Sequence, residues 1–274
     1  MQKYSFKAFI KSLSEKRLTT VAGAWVYYFL TSVIPIAFLL VTAFSLFGVS
    51  ISDLFVSQLP EEFRAAGQAI ATTAEQASRG ATLFFVITVI FSCTTLLNQM
   101  SKDGESIYGV RSKKRRGIMR RLWAVVALAA LFILFLSAAF LFAFGNMLFS
   151  GITVGGTQKL MLTIAAFLVI IIFGYLIILL LNAFIAPVKI RFKQMALGAF
   201  ISLSVIVLGT IGLTLYLRFF NNYNAFYGSL AAVIIFLLWA YISMLGLVGG
   251  VIVNYHSYKG AKKVKKLQTK VKNA

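Results

Sequence analysis

The chain has 274 residues, of which 60% are hydrophobic and only 12% are charged, and its formal net charge at pH 7 is +20. The mean hydropathy is +0.88. This composition excludes a soluble domain with an apolar interior and a wetted surface, because most of the chain must face hydrocarbon or other apolar helices. The basic excess alone fits either nucleic acid or a membrane surface, so the placement of the charges has to decide between them.

Six segments are apolar and uncharged, and each is about as long as a helix that crosses a bilayer. A span needs about 20 mainly apolar residues, whose backbone groups pair within the helix because the hydrocarbon core offers no water. In chain order the segments are Ala22 to Phe47, Ala81 to Leu97, Leu122 to Phe149, Leu160 to Ile185, Met195 to Leu217 and Ser229 to Val253. The predicted fold is an all-α membrane protein, a polytopic bundle of six transmembrane helices.

The regions around these spans also have recognisable patterns. Within residues 1–20, apolar and basic residues fall on opposite faces of a helix from Lys3 to Leu13, which predicts an amphipathic helix in the cytoplasmic membrane interface. Between spans one and two, a segment that begins with Pro60 and two glutamates and ends at Gly80 predicts a second amphipathic helix, on the external surface. Residues 21–257 form the predicted transmembrane domain. Residues 258–274 are a basic tail, expected to be disordered or bound to the membrane surface.

Basic residues are distributed very unequally between the two sides of such a bundle. The amino-terminal segment carries five, the loop after span two eight, the loop after span four three and the tail seven. The opposite side carries Arg64, Arg79, Lys159 and Arg218. This is the positive-inside pattern, and it predicts that both termini lie in the cytoplasm.

The loop after span two has the densest cluster of basic residues. We expect it to contact anionic lipid headgroups on the cytoplasmic side, where each basic side chain contributes about 1 kcal/mol. Nucleic-acid binding is the weaker alternative, because no aromatic side chains interrupt the basic run to stack on bases. The candidate headgroup residues are Arg111, Arg115, Arg116, Arg120 and Arg121.

Uncharged polar residues form stripes at helical spacing in three of the spans. Two interpretations remain open, namely helix packing and a path for a polar substrate group. Pro35 is expected to kink or loosen span one, because it cannot donate a hydrogen bond to the Thr31 carbonyl. The stripes are Tyr28, Ser32 and Pro35 in span one, Thr88, Ser92, Thr95 and Gln99 in span two, and Trp239, Ser243, Gly246, Gly250 and Asn254 in span six.

The sequence contains little that could support catalysis. Its one histidine, His256, follows span six beside two tyrosines, which suits an interfacial position. Asp103 and Glu105, in a predicted loop, could share a divalent ion but lack the further ligands that phosphodiester chemistry needs. There is no phosphate-binding loop, zinc-ligand spacing or nucleophile elbow. We predict a protein that is not an enzyme and has no cofactor and no metal.

Several short motifs are spread along the chain. They contain Ala24, Tyr27, Tyr28, Ser32 and Pro35 in span one, Tyr108 and Arg111 in the basic loop, Pro187, Gly198 and Ala199 near span five, and Tyr227, Gly228, Trp239, Tyr241, Gly250 and Asn254 around span six. These motifs resemble those of the YihY/BrkB family of bacterial inner-membrane proteins. In many members an acidic residue stands two positions before the asparagine of the last motif, where this chain has Ile252.

The resemblance implies a multi-pass protein of the bacterial cell membrane, and it adds Tyr27, Tyr227, Gly228 and Tyr241 to the candidate path. Members have been linked to envelope lipid traffic, which favours a transporter or flippase-like protein for an amphiphilic, lipid-like envelope component. The alternative is a noncatalytic scaffold for envelope machinery, and a third is the tRNA-processing ribonuclease that some family members are labelled as. The expected partners are membrane lipids, with no nucleic acid.

Overall fold

A computed structural model describes residues 13–46, 64, 68, 72, 79–112, 117–150, 156–188, 190–219 and 230–272. Within these residues there are six long α-helices, and the prediction of an all-helical chain is confirmed. Each helix corresponds to one of the predicted apolar segments. In chain order they are α1 (Leu18–Leu46), α2 (Arg79–Tyr108), α3 (Ile118–Ser150), α4 (Gly156–Ile185), α5 (Phe192–Phe219) and α6 (Leu230–Lys272).

The apolar character of the later helices is that of membrane spans. Among the described side chains, Phe167–Ile185, Phe192–Phe219 and Val233–Gly260 are long enough to cross a bilayer, with mean hydropathies of 2.9, 2.2 and 2.2. Large apolar side chains such as Phe167 and Leu208 are exposed on these helices. A soluble protein rarely exposes a continuous surface of this kind, whereas a lipid-facing surface requires one.

Helix α1 begins after a local break and continues through its proline. Residues 13–15 are helical, and Arg17 then adopts a left-handed conformation with φ of 51°. The rest of the predicted amino-terminal helix, residues 1–12, lies outside the described residues. Pro35 lies inside α1 without ending it. The hydroxyls of Thr31 and Ser32 both donate to the Tyr28 carbonyl, at 2.9 and 2.8 Å.

Two helices extend beyond the predicted spans. Helix α2 continues past Leu97 to Tyr108, so Asp103 and Glu105 lie in a helix, and their assignment to a loop is wrong. It ends at Gly109, whose φ of 64° allows the Val110 amide to donate to the Glu105 carbonyl. Helix α6 continues past the predicted end of span six to Lys272, so the tail is helical rather than disordered over its described part.

The predicted external helix lies almost entirely outside the described residues. Of that segment, Arg64, Gln68 and Thr72 are helical and exposed. The Thr72 hydroxyl donates to the Gln68 carbonyl at 2.9 Å, four residues earlier.

The chain forms two compact units, each with its own buried residues. The first unit comprises Met1–Leu18, Met100–Ser204 and Gly246–Ala274, and the second comprises Thr19–Gln99 and Val205–Leu245. Ile185, Val248 and Ile252 are among the fully buried side chains of the first unit, and Trp25 is fully buried in the second. Helices α3 and α4, which follow one another in the sequence, pack together within the first unit.

Candidate functional site

Two carboxamide side chains form a buried hydrogen-bonded link in the first unit. Asn254 of α6 donates from Nδ2 to Oδ1 of Asn182 on α4, at 2.8 Å. Asn182 donates from Nδ2 to the Ile178 carbonyl, at 2.9 Å. The side chains are 1% and 2% exposed. Because an unpaired amide in an apolar interior is costly, this pairing favours one relative placement of α4 and α6. Asn254 was a predicted site residue, but Asn182 was not singled out.

Next to this link, helices α5 and α6 approach closely at two glycines. A Cβ atom at Gly250 would overlap with the Ser202 hydroxyl oxygen and the Gly198 carbonyl oxygen. A Cβ at Gly198 would overlap with Oδ1 of Asn254 and lie 2.5 Å from the Gly250 carbonyl oxygen. The predicted stripe of span six is therefore a packing surface at Gly250, and its partner is Gly198 on α5.

Three buried side-chain oxygens in the described part of the chain have no hydrogen-bond partner: Ser202 Oγ, Ser243 Oγ and Asn254 Oδ1. Ser202 and Asn254 lie at the Gly198–Gly250 crossing in the first unit, and Ser243 belongs to the second unit. At the crossing, Asn254 Oδ1 faces the backbone of Gly198, where a Cα–H group is a weak donor. These oxygens contribute less stability than paired groups would.

In the second unit, the polar residues of span one lie on two different sides of α1. Ser32 is only 1% exposed, and its hydroxyl donates to the Tyr28 carbonyl within α1. Tyr28 is half-buried, whereas Tyr27 is 63% exposed and meets the Tyr28 ring edge-on, with centroids 5.3 Å apart. Ser32 therefore belongs to a helix contact, and Tyr27 faces outward.

The polar stripe predicted in span two flanks the buried face of α2 rather than forming it. Thr88 and Thr95 donate to carbonyls in their own helix, those of Phe84 at 2.8 Å and Phe91 at 2.7 Å. Ser92, Thr95 and Gln99 are half-buried. Between Thr88 and Met100, the buried positions are Val89, Cys93, Thr94, Leu97 and Met100. The threonine hydroxyl protons are thus engaged within the helix, which reduces their availability to a passing polar group.

The aromatic residue predicted for the path in span six has packing partners on the helices of the second unit. The Trp239 indole donates from Nε1 to the Thr210 hydroxyl at 3.2 Å. Its ring stacks on Phe236, which in turn stacks on Phe29, with centroids 6.0 and 6.2 Å apart. Tyr241 is half-buried, and Tyr227 and Gly228 lie outside the described residues.

One carboxylate contacts the described residues on both sides of the basic loop after α2. Glu105 accepts a hydrogen bond from the Ser112 backbone amide at 3.1 Å and forms an ion pair with Arg120 at 3.0 Å. Of the five predicted headgroup residues, Arg120 therefore has an internal partner, Arg111 and Arg121 are exposed, and Arg115 and Arg116 lie outside the described residues. Within the described residues there is no group of three or more metal-ligating side chains.

Tyrosines and lysines gather where α2 ends. The Tyr108 ring meets Tyr255 edge-on at 5.6 Å and lies 6.2 Å from Tyr258. The ammonium groups of Lys16 and Lys259 lie 4.8 and 5.8 Å from the centre of the Tyr255 ring, at cation–π distance. Burial raises the pKa of Tyr108, so its hydroxyl stays neutral. The cluster fits an aromatic belt at a membrane interface.

An apolar groove of about 580 Å³ opens between α3, α4 and α5 in the first unit. Its one polar lining side chain, Ser137, donates its hydroxyl proton to the Ile133 carbonyl at 2.8 Å. At the α5 end, Phe192 is 65% exposed and stands between the exposed residues Arg191 and Lys193. The lining residues are Ala130, Ile133, Leu134, Ser137, Leu176, Leu179, Leu180, Ala183, Phe192 and Met195.

The sequence did not predict this groove. In a lipid-facing helix nearly every side chain is apolar, so the pattern does not show where three neighbouring helices leave a gap. Basic residues after span four were counted for topology only, although Arg191 and Lys193 stand directly beside a lining residue.

Long apolar helices with exposed hydrocarbon surfaces define an integral membrane protein of the α-helical class. The chain matches the family model of virulence factor BrkB over residues 9–273, and it belongs to that family. The resemblance found in the sequence motifs is thereby confirmed.

Similar proteins are themselves described as membrane proteins. A UPF0761 membrane protein of Mannheimia succiniciproducens is 23% identical over 259 residues, covering 90% of this chain and 87% of the relative. A UPF0761 membrane protein of Vibrio parahaemolyticus is 25% identical over 257 residues, covering 89% and 79%. No solved structure shows significant similarity to the chain.

Proposed function

We propose that this protein is a six-span protein of the bacterial inner membrane, with both termini in the cytoplasm, that moves an amphiphilic envelope component between the leaflets. The described helices correspond one to one with the six apolar segments. The unequal distribution of basic residues supports the orientation, because basic loops are retained on the cytoplasmic side.

The groove between α3, α4 and α5 carries the transport proposal. It is open, and hydrocarbon side chains line almost all of it, so it suits an acyl or prenyl chain rather than a polar solute. Its lining on α4 runs from Leu176 to Ala183, a stretch of eight residues, which is about 10 Å along a helix. One leaflet of the hydrocarbon core is about 15 Å thick. The groove can therefore hold a large part of one chain.

The polar path predicted through spans one, two and six remains a separate proposal, and its members in the second unit are Tyr28, Ser32 and Thr95. Hydroxyls and amides are costly to place in hydrocarbon, and measured side-chain hydrogen bonds between membrane helices contribute only about 0.6 kcal/mol on average. Packing stability is therefore a modest reason to collect several of them, and this supports a path.

A noncatalytic scaffold is the second candidate. The close Gly198–Gly250 crossing and the threonine hydroxyls that bond within α2 favour it, because both are features of a static, well-packed bundle. In that case the basic cytoplasmic face would be the docking surface. We also propose that the protein is not a ribonuclease, because Glu105 is already engaged by Arg120 and Ser112.

A deletion strain with leaflet-resolved lipid analysis tests transport against the scaffold. We expect one amphiphile to accumulate in one leaflet, and wild-type protein to reverse this. Ala130→Phe, which fills the groove, should fail to reverse it. Ala129→Phe, an equal enlargement at the exposed neighbouring position, should succeed. An unchanged lipid distribution in the deletion strain would contradict the transport proposal.

A further inference from the structure

Among the described residues that line or flank the groove, the basic side chains stand at one end. Phe192 and Met195 line it where α5 begins, and Arg191 and Lys193 flank Phe192 with exposed side chains. Lys189, two residues before Arg191, adds a third positive charge to the same connection. At the other end of the lining on α3 stands Ser137, a neutral residue.

These cations lie in a part of the chain without carboxylates. No acidic residue follows Glu105 in the sequence, so α3, α4 and α5 contain none. Glu105 itself accepts bonds from Arg120 and Ser112. Near a low-dielectric surface, positive charges favour an anionic partner, and at a membrane surface the phosphates of anionic lipid headgroups supply that partner.

We propose that the groove and its rim form a binding site for one phospholipid of net negative charge. An acyl chain lies against the lining of α3, α4 and α5, and the phosphate is held by Arg191 and Lys193. The acyl chain gains van der Waals contacts with the lining, and the two cations select the headgroup charge. That the lipid belongs to the cytoplasmic leaflet rests on the proposed topology. The site therefore identifies anionic phospholipids as the substrate class of the proposed transport.

This site differs from the headgroup cluster predicted after span two. There Arg120 is paired with Glu105, whereas Arg191 and Lys193 flank Phe192, which lines the apolar groove. At α5 an apolar groove and cations occur together. An acyl chain and a charged headgroup of one molecule can therefore bind at this site together. Because a free anion has no chain, the site discriminates a lipid from a free anion.

Native mass spectrometry of the purified protein in detergent tests the proposal, with phosphatidylglycerol and zwitterionic phosphatidylcholine as probes. We expect one phosphatidylglycerol to bind at low lipid concentration, in clear preference to phosphatidylcholine. Arg191→Gln with Lys193→Gln should weaken phosphatidylglycerol binding roughly thirtyfold, from about 1 kcal/mol for each charge. Arg218→Gln, at the other end of α5, is the matched control and should bind as the wild type does.

The groove requires its own pair of variants. Ala130→Phe should weaken binding of both lipids, and Ala129→Phe should leave it unchanged. Inorganic phosphate at the same concentration as the lipid should not compete, since it has no chain. If the double charge variant does not fold, each single variant should still weaken phosphatidylglycerol binding about fivefold.

The proposal would be overturned if the charge variants bound phosphatidylglycerol as tightly as the wild type, if both lipids bound equally, or if Ala129→Phe weakened binding as much as Ala130→Phe. These outcomes are distinguishable from a failure of transport. Tight, selective binding in a protein whose deletion leaves the leaflets unchanged supports the site and contradicts the transport function. Loss of the site with transport intact contradicts the site alone.

Discussion

Replacing Gly250 by alanine should destabilise the protein, whereas the same change at Gly249 should not. A Cβ at Gly250 would overlap with the Gly198 carbonyl oxygen, which belongs to the backbone and cannot rotate away. At Gly249 there is no atom within 4 Å of the added carbon. The two glycines are neighbours in one helix, so they share almost every other property.

The expected magnitudes follow from two opposing terms. Alanine gains about 1 kcal/mol over glycine in a helix interior, and this gain applies at both positions. Overpacking a close contact costs about 1–3 kcal/mol, and a backbone obstacle favours the upper end. Gly249→Ala should therefore stabilise by up to about 1 kcal/mol, and Gly250→Ala should destabilise by about 2 kcal/mol. The difference of about 3 kcal/mol corresponds to roughly 6–12 °C between the two unfolding midpoints for a chain of this size.

Thermal unfolding of the detergent-solubilised protein, followed by size-exclusion chromatography after heating, measures this difference. Ser202→Ala refines the test, because it removes the other atom that Gly250→Ala would meet. Since the Ser202 hydroxyl has no partner among the described residues, Ser202→Ala alone should be neutral or slightly stabilising, and it should recover part of the loss in the double variant. Equal midpoints for the two glycine variants would refute the close approach of α5 and α6.

Three further predictions concern topology, the basic loop and the polar path. In a cysteine-free background, Ser57→Cys should react with an impermeant thiol reagent added outside intact cells, and Ser112→Cys should not; labelling of the latter would contradict the proposed orientation. Glu105→Gln should lower the unfolding midpoint by several degrees and expose the loop to protease, because the partly buried Arg120 loses its counter-charge. Unchanged proteolysis would contradict a structural role for Glu105. Ser32→Ala and Thr95→Val nearly preserve volume, so the polar-path proposal expects them to impair complementation at normal protein abundance, whereas full complementation would leave packing as their role.

The sequence was sufficient to predict the helices, because an uncharged run of bilayer length leaves the backbone few alternatives. Helix ends were less accurate. Helix α2 continues to Tyr108 through a charged stretch, which hydropathy cannot distinguish from a loop. The positive φ of Gly109 marks its end more clearly than the change in polarity does.

The sequence could not predict most side-chain contacts between helices. The spacing of Thr88 and Thr95 predicts that they share one face of the helix, but it cannot show that their hydroxyls bond to carbonyls within the helix. Asn254 was singled out, yet its partner Asn182 depends on how α4 and α6 are rotated and aligned, which no local pattern encodes. Gly198 was noticed only as a family motif, and its contact with Gly250 gives that motif a physical reason.

The length of α6 has a mechanical consequence. Its 43 residues form one continuous helix, about 65 Å long, whereas the hydrocarbon core is about 30 Å thick. Roughly 28 Å of helix follows Val253, which is the predicted end of the last span. A continuous helix resists twisting and bending. A force applied to its lysine-rich end would therefore be transmitted along the helix to Asn254 and Gly250. The tail is thus a stiff extension of the buried part of α6, whereas a flexible tail would not transmit such a force.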